Sequence, residues 1–217
     1  MKTDTQVQLD VVAELKYEPS VNATHIGVTV SEGIVSLFGQ VDHYSEKMHA
    51  EMAIQRVSGV KGLAMEIEVK LPSLSKRSDS DIAHSIDNII SWSTLIPKEH
   101  IHIKVEDGWV TLSGHVKWNY QKLILTGALA HLLGVTGVSD QIAIKHDLAK
   151  SVVKNEIVLA LNRRAQSEAK NITIDIKDGE VTLSGTVNSW NERSLVNHAA
   201  WSNAGVTNVI DKLTLVG

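Results

Sequence analysis

Apolar and polar residues alternate with period two in three short stretches: Ile26, Val28, Val30; Ile101, Ile103, Val105; and Ile172, Ile174, Ile176. That period puts every second side chain on one face of an extended backbone, so each stretch predicts a strand with one apolar face. Shortly after each comes an acidic residue and a glycine: Glu32-Gly33, Asp107-Gly108 and Asp178-Gly179. Such pairs suit a two-residue type I′ hairpin turn, which needs positive φ at both positions. The returning strands alternate as well, with Val110, Leu112, Val116 and Val181, Leu183, Val187.

The period changes to that of a helix on either side of these hairpins. Ile82, Ile86, Ile89, Ile90 and Val153, Ile157, Ala160, Leu161 fall at i, i+4, i+7, i+8, the spacing of one helix face. Ser80 or Asp79 is a candidate cap for the first of these helices, and Ser151 for the second. A further helix follows each hairpin, roughly over 44–57, 119–133 and 190–203. Ala50, Ala53, Ile54, Val57 and Val196, Ala199, Ala200 mark its apolar side. Gly59, Gly134 and Gly205 suit the position just beyond a helix end. Last strands are predicted over 65–69, 141–144 and 212–216.

These elements recur because the sequence repeats. Residues 31–41, 106–116 and 177–187 match position by position, and Val60, Val135 and Val206 follow the three matches at one constant spacing. The offsets are 75 (108 − 33) and 71 (179 − 108). The expected fold class is α+β: three tandem α-β-β-α-β units over 1–71, 79–146 and 148–217. Each unit is a three-stranded mixed sheet with two helices on one face, since the apolar side of the sheet must be covered. A polar segment, 72–78, separates the first two units, and the second and third nearly abut.

Composition narrows the function. The chain has 217 residues, a net charge of −4, 43% hydrophobic and 21% charged residues. That hydrophobicity is too high for a disordered chain. Residues 1–71 hold 6 basic and 10 acidic residues, and the remainder is balanced. No basic stripe exists, so nucleic acid is not an expected partner. With no cysteine, zinc–thiolate sites, iron–sulfur clusters and thiol nucleophiles are excluded. No apolar run approaches the length a membrane-spanning helix needs, and the N-terminal residues lack a secretory apolar core. The expected location is therefore cytoplasmic, or periplasmic if a signal has been removed.

The repeated hairpin (D/E)-G-x-V-x-L-x-G-x-V, the helix after it, the Gly-Val pair and the last strand resemble the BON domain, named for bacterial osmotically inducible and nodulation proteins. The chain is similar to the OsmY-like proteins, with one repeat more than their usual two. The resemblance implies the α-β-β-α-β fold already read from the pattern. It also implies envelope integrity under osmotic stress and contact with phospholipid surfaces or envelope proteins. No catalytic motif, catalytic residue or cofactor comes with it. The expected function is a non-enzymatic, stress-associated binding protein. Two alternatives stay open: an ion or small-ligand sensor, by analogy with a potassium-binding relative, and a scaffold that forms weak homo-oligomers.

Several residues are candidates for that binding. Gly33, Gly108 and Gly179 are turn glycines. Gly39, Gly114 and Gly185 lie in strands at apolar parity, where they either admit a closely packed helix or mark a bulge. Phe38 and Trp109 fall on the sheet face the helices leave open. Such aromatics fit a partner, a lipid interface or packing between repeats. Trp118 and Trp190 open the second helices, with Arg193 beside Trp190 and Arg163-Arg164 at the end of the third unit's first helix. Trp at a helix end serves at a membrane interface or as a lid on the core. A two-residue turn at Asp107-Gly108 pairs Val105 with Val110, His102 with Ser113 and His100 with His115. It thereby makes His100, His102 and His115 a candidate zinc or nickel site. No G-x-S-x-G is present, so a serine hydrolase is not expected.

Overall fold

The computed structural model describes residues 2–145, 172–203 and 206–215. The predicted helix carrying Val153, Ile157, Ala160 and Leu161, its Ser151 cap, Arg163-Arg164 and Gly205 lie outside the described residues. The chain divides into two compact units. One is built mainly of Met1–Ser113 and Ile124–Gln141; the other takes Gly114–Leu123 and Ile142–Val216.

The first repeat runs α1 (Asp4–Tyr17), β1 (Ile26–Ser31), β2 (Ile34–Val41), α2 (Tyr44–Gln55) and β3 (Gly62–Val69). The second runs α3 (Asp79–Trp92), β4 (Ile101–Glu106), β5 (Trp109–Val116), α4 (Asn119–Ala130) and β6 (Gly137–Ile144). The third shows β7 (Ile172–Lys177), β8 (Glu180–Val187), α5 (Trp190–Trp201) and β9 (Asn208–Leu215). The described residues form three three-stranded sheets, ordered β1-β2-β3, β4-β5-β6 and β7-β8-β9. In the first and third, the hairpin is antiparallel and the last strand returns parallel to the middle one. The sheets are therefore mixed, and the α+β expectation holds.

The hairpin turns are the type the sequence predicts. φ is 54° and 81° at Glu32-Gly33, 50° and 76° at Asp107-Gly108, and 53° and 85° at Asp178-Gly179. A left-handed pair matches the twist of the flanking strands. The resulting register sets Val30 opposite Val35 and Ile176 opposite Val181. Strand alternation then sends Val35, Leu37 and Val41 inward with Val7, Val11 and Leu15 of α1 and Ala50, Ala53 and Ile54 of α2, all buried. The second core uses Ile82, Ile86, Ile90, Val110, Leu112, Leu125 and Leu129 in the same places. The third gathers Val181, Leu183, Val187, Val196, Ala199, Ala200 and Leu213. Ile89 is only half-buried, at the margin of the α3 stripe.

Two local expectations need correction. The N-cap of α3 is Ser78, not Ser80 or Asp79. Its hydroxyl accepts the Asp81 N–H, and the Asp81 carboxylate takes the Ser78 N–H in return. That reciprocal box satisfies two backbone donors at once, and it frees Asp79 for another task. Its carboxylate accepts the Asp107 and Gly108 N–H groups at 3.0 and 2.9 Å. Asp4 does the same for Glu32 and Gly33, at 2.8 and 2.9 Å. The strand glycines also have a different reason from close helix packing. Gly39, Gly114 and Gly185 adopt φ of 122°, 116° and 120°, a region that L side chains rarely enter. A Cβ on Gly39 would collide with the His25 carbonyl oxygen.

Candidate binding surface

The inward set on each middle strand is Val and Leu, so the intervening residues form the outer face. In the first repeat that face shows Ile34 and Phe38, which are 50% and 44% exposed. Phe38 stands directly across from Gly27. Its ring fills the space where a Cβ on Gly27 would be. In the second repeat Trp109, 50% exposed, lies over Gly137 in the same manner. The glycine leaves room for each ring against the backbone, while about half of each side chain stays exposed. Strand parity alone places both aromatics on this face. The glycine beneath Trp109 escapes a sequence reading, because it belongs to the distant strand β6. In the third repeat the position of Trp109 is held by Glu180, whose carboxylate accepts from the Asn208 amide at 3.0 Å. The aromatic surface thus belongs to the first two repeats, and the third is polar there.

Charge around it is mixed. Glu66 pairs with Phe38 and Glu68 with Gln40 across β2 and β3, and both glutamates are exposed. Lys70 lies 3.8 Å from Glu68, and Lys104 lies 2.8 Å from Glu106 on β4.

Trp118 and Trp190 are half-buried. Trp190 is the first residue of α5, after the Ser189 cap. The Arg193 guanidinium sits 5.1 Å from the centre of the Trp190 ring, and its Nε donates to Asp211 at 2.7 Å. Burial pushes the Asp211 carboxyl up, but hydrogen bonds from Arg193, the Leu213 N–H and Asn197 outweigh it and hold the group below the usual carboxylate range. Arg193 is therefore a tie between α5 and β9. Lys47 and Lys122 occupy its place in the other repeats, donating to the carbonyls of Ile67 and Ile142 at 2.8 and 3.1 Å. The most exposed aromatics are elsewhere, at the ends of α1 and α3: Tyr17 is 83% and Trp92 89% exposed. The α4 helix adds Tyr120, Leu123 and Ile124 to the exposed apolar side chains.

His100 lies in a short 3-10 turn before β4, His102 is exposed on β4 and His115 belongs to β5. Among the described residues no three His, Asp or Glu side chains group so as to hold a metal ion. The three histidines therefore do not form the expected site. Instead, the structure brings His49 and His131 together, with ring centres 5.8 Å apart. No local pattern marks this pair in the sequence.

The BON domain model matches residues 3–70, 78–146 and 149–217. The chain belongs to the BON domain family. Its three matches fall on the three repeats and cover nearly all of the sequence. No curated protein matches the chain at a significant level. Two similar solved structures are of CdsD, a structural protein of the type III secretion system of Chlamydia trachomatis. One is described as its C-terminal domain; it is 18% identical, covers 100% of each chain and has a TM-score of 0.27. The other is 18% identical over 96% of this chain and 91% of that one, with a TM-score of 0.26. At those scores neither carries an argument about this chain. Among the described residues no helix is long and apolar enough to cross a membrane.

Proposed function

We propose that this BON-domain chain is a non-enzymatic, stress-associated binding protein that contacts a phospholipid surface or an envelope partner through the outer sheet faces of its first two repeats. The observation that carries this reading is the pair of aromatic rings seated over glycine, Phe38 on Gly27 and Trp109 on Gly137, each about half exposed. A monomer gains little from presenting large rings to water, whereas a contact surface gains much, since burying them removes apolar area from water. Trp118 and Trp190 are half-buried and Arg193 is engaged by Asp211, so they are secondary to this face.

The test is flotation of the full chain with zwitterionic and anionic vesicles at low and high salt, beside a Phe38→Ala/Trp109→Ala double variant. The expected result is flotation of the parent and several-fold weaker flotation of the variant. Because Glu66 and Glu68 flank Phe38, zwitterionic vesicles should be bound at least as well as anionic ones. Equal flotation of parent and variant overturns the role of the aromatic face. A parent that floats under no condition removes the lipid reading and leaves the envelope-protein one.

A further inference from the structure

The α4 helix differs from its counterparts in the other repeats on the side turned away from its core. Leu125 and Leu129 are its buried leucines. At about 100° per residue, Tyr120, Leu123, Ile124 and Gly127 form one stripe on the opposite side. The three large side chains are 47%, 52% and 40% exposed. The fourth position is open, since a Cβ on Gly127 would meet nothing within 4 Å. Where α4 has Tyr120, α2 has Ser45 and α5 has Asn191; where it has Gly127, they have Met52 and His198. Of these three helices only α4 combines an apolar stripe with a gap. Glycine inside a helix is destabilising relative to alanine, so the gap calls for a reason other than the fold of its own repeat.

Tyr120 and Gly127 lie equally far along the helix from the midpoint between Leu123 and Ile124. A two-fold contact is self-complementary, so a stripe with this spacing can be its own partner. We propose that α4 docks antiparallel on α4 of a second copy of this chain, about an axis between Leu123 and Ile124. Tyr120 of each copy then stands over Gly127 of the other, and Leu123 meets Ile124. The bulk missing at one end of the stripe is supplied by the other end. Charge permits the contact. The α4 helix has no Asp or Glu, and its one lysine, Lys122, donates to the Ile142 carbonyl at 3.1 Å. No like charges therefore face each other along the stripe. A helix lying in a lipid interface is rich in cations on its polar face, and α4 has just the one. Size sets the strength. A helix of 12 residues is about 18 Å long, so two such stripes bury less than the roughly 1,000 Å² of a stable complex. The dimer is a weak one that forms at high concentration. The stripe is separate from the sheet-face aromatics, and the two contacts stand or fall independently.

The experiment is sedimentation equilibrium of the full chain from about 10 μM to about 1 mM, beside Ile124→Glu, Gly127→Leu and Phe38→Ala/Trp109→Ala. The parent and the Phe38→Ala/Trp109→Ala variant should dimerise alike toward the top of that range. Ile124→Glu should stay monomeric, because the contact would bury an unpaired charge. Gly127→Leu should dimerise at least ten-fold more weakly, because the gap that receives Tyr120 is filled. Its melting temperature at low concentration should not fall, since leucine is the better helix former; that keeps the test valid even if Ile124→Glu fails to fold. A parent that is monomeric at about 1 mM overturns the proposal. So does a folded Ile124→Glu or Gly127→Leu variant that dimerises like the parent, or a dimer that is lost with Phe38 and Trp109.

Discussion

The Asp79 carboxylate accepts the backbone N–H of Gly108 at 2.9 Å, joining the first residue of α3 to the tip of the hairpin between β4 and β5. The second oxygen takes the Asp107 N–H, so one side chain satisfies both donors of a left-handed turn. Asp4 repeats the arrangement on Glu32 and Gly33. Hydrogen bonds to a charged acceptor are worth about 1.5–3 kcal/mol when buried, and these are only partly so. Asp79→Ala is expected to destabilise the second repeat by about 1–3 kcal/mol. Asp79→Asn, which keeps one acceptor oxygen, should lose less. Denaturant melts of the full chain check both, and equal stability of all three proteins would show that the turn needs no clamp.

Gly39 and Gly33 both have positive φ, yet they should respond differently to alanine. Gly33 sits at 81° with Lys61 side-chain carbons, which can move aside, 3.0 Å from an added Cβ, and the Gly59 carbonyl oxygen at 3.3 Å, a milder contact. Gly39 sits at 122° with the His25 carbonyl oxygen in the way, and that oxygen is backbone. Strained backbone alone costs on the order of 1–3 kcal/mol, and the collision adds to it. Gly39→Ala should therefore cost more than Gly33→Ala, read as the shift in urea midpoint. The reverse order would sink this account of the strand glycines.

Most of the fold is legible in the sequence because the two hydrophobic periods and the turn chemistry act locally. Ile101, Ile103 and Val105 declare a strand, and Asp107-Gly108 declares its hairpin register, without reference to anything distant. What escapes depends on chain segments far apart. Asp79 reads as a cap because its hairpin partners lie in a later element of the repeat, while Ser78 in fact takes the cap. Arg193 reads as a binding candidate beside Trp190, and its tie to Asp211 is hidden because Asp211 belongs to the next strand. Phe38 and Trp109 are legible as outer-face residues from parity, but the glycines beneath them are set by strand register. His49 and His131 belong to different repeats, and only the docking of those two repeats puts them side by side.

The Glu18 carboxyl makes a pH prediction. A hydrogen bond from the Ser20 hydroxyl, then one from Arg56, hold it down at about 2 from its ordinary 4.5. The two contacts are each 2.7 Å long. The folded value is the lower one, so the stabilisation is fully present above pH 4.5 and is lost as pH falls through about 2. Glu18→Gln should flatten the fall in stability across that window, and so should Arg56→Met, although Arg56 also holds Glu14 at 2.8 Å. Denaturant midpoints measured along an acid series check this. An unchanged acid slope in Glu18→Gln would mean that the contact does not persist in solution.

Trp109 and Gly137 offer the sharpest test of the surface itself. An added Cβ on Gly137 would occupy the space of the indole six-membered ring. Gly137→Ala must therefore lift the ring from the sheet while leaving every aromatic in the sequence. The lifted indole loses its contact with the backbone and gains water on both faces. Its emission should shift to the red and its quenching by acrylamide should rise, relative to the parent. Trp109→Phe/Gly137→Ala separates this residue from the other tryptophans, since no such change should remain in that background. The same logic applies to Gly27→Ala beneath Phe38. If binding requires rings that are already seated and ordered, Gly137→Ala should weaken vesicle or partner binding as much as Trp109→Ala, because ordering a mobile ring on contact costs side-chain entropy. If Gly137→Ala binds as the parent does, exposed apolar area alone would explain the contact, and the glycine seat would be a device for stability.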